Sequence, residues 1–200
     1  MNKSILSILG AALFAAVLSS CASIPEPSEK DNNLIYGQLE FNFSCIPNNY
    51  DIPEKSSEIS GIEVKFRNIK TNKIITMTTN SKGEFYRTGI PEGTYIIYSF
   101  KKTIKYGAGR YEADYSAVFD KNKTTNFHFS PVEDTVINMG KISLEISIKD
   151  IGYYSWRVDW DKDFEKTKRY FSVLHSNSPW LDKEWITRHE SLERHLTLFP

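Results

Sequence analysis

The chain has 200 residues, in which 25 Lys and Arg balance 25 Asp and Glu, so it lacks the basic excess of a dedicated nucleic-acid binder. Apolar residues at 40%, with 14% aromatics, suffice to fill the core of one domain. Two cysteines exclude a disulfide scaffold and a multi-thiolate zinc site.

The chain opens on a short basic start, Met1-Asn2-Lys3-Ser4, then runs apolar from Ile5 to Leu18 with only Ser7 and Gly10 interrupting. That run is too short and wrongly flanked for a stable membrane span, and residues 1–20 read as a secretion signal. Leu18-Ser19-Ser20-Cys21 resembles the bacterial lipoprotein lipobox, in which an aliphatic residue and two small ones precede a cysteine that is acylated and becomes the first residue. The resemblance implies diacylglyceryl and palmitate-type chains on Cys21. At about 0.8 kcal/mol per buried CH₂, more than one chain anchors a domain stably to a membrane. It also implies a bacterial cell-envelope location, and Ala22, where inner-membrane retention in enteric bacteria uses aspartate, leans toward the outer membrane. With the Cys21 sulfur occupied, Cys45 has no intramolecular partner, and its place in an alternating apolar series reads as a buried, inert thiol.

Residues 21–33 hold Pro25, Pro27, Ser, Glu, Lys and Asn and little to bury, so a disordered or polyproline-like tether is expected between membrane and domain. At about 3.1 Å per residue it spans up to roughly 35 Å.

From Leu34 the apolar period becomes two. Ile35, Leu39, Phe41, Phe43 and Cys45 share one strand face, against Gln38, Glu40, Asn42 and Ser44. After a Pro/Asn/Ser-rich loop from Ile46 to Ser60, Ile62, Val64 and Phe66 alternate with charged residues in a second strand. Lys73 to Thr79 is strand-like, Asn80-Ser81-Lys82-Gly83 turns the chain, and Glu84 to Arg87 begins the next strand. A second turn at Gly89-Ile90-Pro91-Glu92-Gly93 leads into Tyr95 to Lys101, with Tyr95 and Ile97 inward. Gly83 and Gly93 are expected at positive φ, and Phe85 and Tyr95 between two sheets.

Gly61-Ile62-Glu63-Val64, Thr78-Thr79-Asn80-Ser81-Lys82-Gly83-Glu84-Phe85 and Gly89-Ile90-Pro91-Glu92-Gly93-Thr94-Tyr95 together resemble the carboxypeptidase regulatory-like, or prealbumin-like, β-sandwich. The likeness spans about residues 34–148 and is strongest over 61–97. It implies a non-catalytic module whose motif residues are scaffold.

Further strands are read in Thr103 to Phe129 and in Val136 to Ile148, where Ile142, Leu144, Ile146 and Ile148 oppose Ser143, Glu145, Ser147 and Lys149. The sum is mainly β: an antiparallel sandwich of about seven strands over 34–149. Residues 150–200 form an aromatic-rich, partly helical extension that holds all four tryptophans. Within it Tyr153 to Trp160 reads as a strand, Phe164, Phe171 and Leu174 suit a helix face, and Ser178-Pro179 marks the start of a helix over 179–196. Two readings compete for this extension: a cover packed on an outer sheet face or edge, or a platform in which Trp156, Trp160, Trp180 and Trp185 bind a sugar, peptide or protein.

Chemistry-bearing motifs are sparse. His189 and His195, six apart, fall on different helix faces, no HExxH is present, and neither a metal nor another cofactor is implied. Gly107-Ala108-Gly109-Arg110 reads as a turn, and Asp159, Asp161 and Asp163 as the solvated approach to a helix. The sequence therefore points to a non-enzymatic, lipid-anchored envelope protein that binds a protein or glycan partner, or acts structurally, with no nucleic-acid role. The alternative is a small hydrolase using Asp159, Asp161 and His189 of the extension.

Overall fold

The computed structural model describes residues 24–45, 55–56, 59–106, 111–118, 128–150 and 153–191. Residues 1–20, expected to be a secretion signal, Cys21 and most of the Ile46–Ser60 loop lie outside this set, as do Phe119, Phe127 and residues 192–200.

The strands are β1 (Leu34–Cys45), β2 (Lys55–Ser56), β3 (Glu63–Asn68), β4 (Ile74–Thr78), β5 (Glu84–Thr88), β6 (Tyr95–Tyr106), β7 (Tyr111–Val118), β8 (His128–Phe129), β9 (Thr135–Asp150), β10 (Tyr153–Asp161) and β11 (Glu184–Thr187). One helix, α1 (Phe164–Leu174), separates β10 from β11. The strands form two sheets, so the mainly β sandwich expected from the alternation is the observed architecture.

The first sheet has six strands built on two long central ones. β1 pairs with β9 along its whole length, Leu34 beside Val136 and Cys45 beside Ile148, and the two run parallel. The free side of β1 carries β5 and then β2. That of β9 carries β11 and then β10. Because β1–β9 and β9–β11 are parallel, this sheet is mixed where an antiparallel one was expected. The second sheet, in the order β4-β3-β6-β7 with β8 on β6, is antiparallel throughout.

Alternation fixes which side chains meet. Leu39, Phe41 and Phe43 from β1, Val64 and Phe66 from β3, Ile97 and Phe100 from β6, and Ile142, Leu144 and Ile146 from β9 form one core between the sheets. Phe85 and Tyr95 fill that space in keeping with the turn motifs before them: Phe66 lies 6.3 Å from Phe85 and 5.3 Å edge-on to Phe129, which stacks on Tyr95 at 5.6 Å. Gly83 and Gly93 adopt φ of 76° and 131°.

The opposite face of the first sheet supports a second, smaller core. Leu34, Tyr36 and Val136 point outward there and are covered by Phe171 of α1, by Trp180 and by Ile24. The molecule thus has three layers over this half: sheet, sheet, and a helical cover. α1 starts at Asp163, whose side chain accepts from the Lys166 amide, and buries Thr167 and Phe171 four residues apart.

The structure departs from the sequence-based expectation in two further places. Residues 179–196 do not form one helix. Ser178 caps only a single 3₁₀ turn (Pro179–Leu181), after which β11 adds to the edge of β9 and residues 188–191 begin a new helical turn. The cap and proline do start a helical turn, but the β-branched pair Ile186-Thr187 gains ladder bonds from the open edge of β9. The tether is the second departure. From Ile24 onward it is docked on the body: Ile24 is buried, the Pro25 carbonyl accepts from Trp180 Nε1 at 2.6 Å, and Asn33 exchanges two bonds with the Ile90 backbone. One apolar side chain and a few backbone bonds hold a segment whose composition reads as disordered.

Candidate functional site

One buried polar cluster joins β1 and β5 to the end of α1. Asn80 Oδ1 accepts from the Lys82 and Glu84 amides, closing the turn expected at 80–83 and delivering Glu84 into β5. The Glu84 side chain is buried. Its Oε2 accepts from Asn80 Nδ2 at 2.8 Å. Its Oε1 accepts from the Tyr36 hydroxyl at 2.8 Å and meets His175 Nε2 at 2.7 Å. His175 caps the end of α1, its amide donating to the Phe171 carbonyl, and its ring lies 4.8 Å from Phe171. Burial, then the adjacent Glu84 carboxylate, pushes the Tyr36 phenol well above its ordinary pKa. Every oxygen of the Glu84 carboxylate is therefore engaged from within the fold, and the cluster works as a clamp between sheet and helix.

Of the four tryptophans named as a platform, Trp180 is buried and Trp156, Trp160 and Trp185 are half-buried. Trp180 is fully buried in the second core, which it shares with Ile24, Tyr36 and Phe171. Trp185 packs on that core, 4.9 Å from Phe171, and donates from Nε1 to the Trp180 carbonyl. Trp160 and Trp156 lean on the inter-sheet core from β10. Trp160 Nε1 donates to the Met139 carbonyl at 2.6 Å, and the Arg188 guanidinium lies 4.4 Å over its ring. Edge strands of a sandwich need covering, and large rings supply the area at little entropic cost.

Met139 belongs to an irregularity in β9. The β1–β9 register passes from Tyr36 beside Asn138 to Gln38 beside Lys141, leaving one extra residue on β9 near Gly140, at φ 73°. Asn138 braces the bulge, accepting from the Gly140 amide and donating to the Phe164 carbonyl at 2.7 Å. This detail has no single-residue sequence signal beyond the glycine.

The carboxylates of the extension have local partners. Asp159 pairs with exposed Arg157 at 2.8 Å, and Asp161 accepts from the Asp163 amide. Asp163 caps α1, so the solvated approach to a helix is what the structure shows for that run. His189 lies just past β11, exposed, on the new helical turn. On the first sheet, Lys141 lies 3.0 Å from Glu40, which also accepts from the Ser143 hydroxyl at 3.2 Å. The Lys141 hydrogen bond holds the Glu40 carboxyl below the usual carboxylate range. The Cys45 backbone closes β1 beside Ile148.

Two clefts flank the docked N-terminal segment. One, of about 500 Å³, lies between Lys30, Asn32 and Asn33 and the turns carrying Ile90, Glu92 and Val132. The other, of about 290 Å³, is bordered by Ile24, Glu26, Leu174, His175, Asn177 and Pro179. Among the described residues no cluster of His, Cys, Asp and Glu could hold a metal ion, and no helix is long and apolar enough to cross a membrane.

No family model matches the chain, and no curated protein does. Among solved structures, the chain is similar to a leucine-rich repeat protein from Bacteroides thetaiotaomicron at 11% identity and a TM-score of 0.30. The match covers 57% of this chain and 14% of that one, a likeness too slight to assign a fold or a role.

Proposed function

We propose that the protein is a lipid-anchored component of a bacterial cell envelope, held by acyl chains on Cys21 and acting through contact with a protein or glycan rather than through catalysis. The observation that carries the reading is the order of sequence signals: a basic start, an apolar run and Leu18-Ser19-Ser20-Cys21, placed directly before a folded β body. The prealbumin-like character of the sandwich is part of the same proposal. It is supported by the turn motifs around Gly83 and Gly93, whose residues serve as scaffold. The internal saturation of Glu84 supports a structural use for the polar cluster around it. Ala22 favours the outer membrane.

Cell fractionation tests it. The native chain is expected in the membrane pellet and Cys21→Ser in the soluble fraction, whereas equal solubility of the two defeats the anchor. Tagged protein recovered from detergent-solubilised envelope then separates the two modes of action: a stoichiometric protein identifies a scaffold subunit, and a retained glycan a binding module.

A further inference from the structure

We propose that the domain lies directly against the lipid surface, with the end of α1 and the residues around Ile24 toward the bilayer, instead of hanging from a flexible tether. This rests on the reading of Cys21 as the acylated residue. Chain length sets the geometry. The segment that composition assigns to a tether is fastened at three places: Ile24 is buried in the second core, Pro25 accepts a 2.6 Å bond from Trp180, and Asn33 bridges to Ile90. Only Ala22 and Ser23 separate Cys21 from Ile24 in the sequence, and three peptide steps of at most about 3.6 Å reach roughly 11 Å. A thioether at headgroup depth then brings Ile24 to the membrane interface.

The surroundings of Ile24 suit that position. The adjoining loop, Ser176-Asn177-Ser178-Pro179, is uncharged and lines the cleft with Ile24, Glu26, Leu174 and His175. The residue before Leu174 is Val173, which is 73% exposed at the end of α1, the most exposed large apolar side chain among the described residues. A valine in water gains nothing from this place, while at a lipid interface it is partly buried. The second sheet lies on the far side of the molecule. In the proposed orientation the layers stack along the membrane normal, and one helical layer plus one sheet spacing sets Thr76 on β4 about 20 Å farther from the bilayer than Asn177.

Energy transfer from single labels tests the orientation. Acylated full-length protein in a Cys45→Ala background carries a donor at Asn177→Cys or at Thr76→Cys, in vesicles containing rhodamine-headgroup lipid. Transfer from position 177 is expected to exceed that from position 76 by about twofold or more, given the roughly 20 Å between layers. A long Gly/Ser insertion between Ser23 and Ile24 should abolish the difference. Equal or reversed transfer from protein whose mass shows the acyl groups overturns the orientation alone. Protein without acyl groups, free in the supernatant, overturns the anchor and the orientation with it.

Discussion

Glu84 Oε1 stands 2.7 Å from His175 Nε2, joining the start of β5 to the end of α1 across 91 residues of sequence. The same carboxylate receives the buried Tyr36 hydroxyl and the part-buried Asn80 side-chain amide, so its removal strands the Tyr36 donor inside the fold. Glu84→Ala is expected to destabilise the fold by about 3 kcal/mol, and His175→Ala by less. In a double-mutant cycle the pair should show coupling of about 1 kcal/mol or more, measured by urea unfolding. Additive losses would mean that the contact does not hold α1 to the sheet.

Tyr36 gives the clamp a pH signature. Its folded pKa is raised by burial and by Glu84, so the folded state keeps a proton that the unfolded chain releases near pH 10. The stabilisation is fully present below pH 10 and declines above it, by about 1.4 kcal/mol per pH unit while the difference persists. Tyr36→Phe should be less stable at pH 7 but flatter above pH 10. A parallel decline in both proteins contradicts the assignment.

Trp180 fastens the N-terminal segment and fills the second core. Trp180→Ala is expected to cost about 3–5 kcal/mol, and Trp180→Phe, which keeps most of the ring volume, about 1 kcal/mol. In the phenylalanine variant, hydrogen exchange and proteolysis should quicken over 24–33 before the sheets are affected. Acrylamide should reach Trp180 least of the four tryptophans, since its side chain is fully buried.

Gly37 marks a close approach of backbone to ring. A Cβ there would come within 2.3 Å of Phe85 Cζ, so Gly37→Ala should cost about 1–3 kcal/mol by overpacking. Phe85→Leu, costly alone, should be partly compensated by Gly37→Ala. A melting temperature unchanged by Gly37→Ala alone would show that the ring yields freely.

Period-two alternation exposes most strands, from Ile62-Val64-Phe66 to the run ending at Ile148, and also which face turns inward. It cannot reveal that β1 and β9, a hundred residues apart, lie parallel, because strand direction leaves no local mark. The 179–196 region misleads for a related reason. Ser178-Pro179 is a true cap, but the course of the chain beyond Leu181 is decided by an open edge on β9 that only the assembled sheet presents. Glu84 reads as an ordinary residue after a turn, and its partners Tyr36 and His175 are remote in sequence. The docking of residues 24–33 is hidden because backbone carbonyls and one isoleucine, not composition, hold them.

Intact-mass analysis of the protein extracted from membranes is the most direct test of the anchored-body account. The predicted result is a chain that begins at Cys21 and carries a diacylglyceryl thioether and acyl chains, in the detergent phase. A soluble chain with an unmodified Cys21 contradicts it.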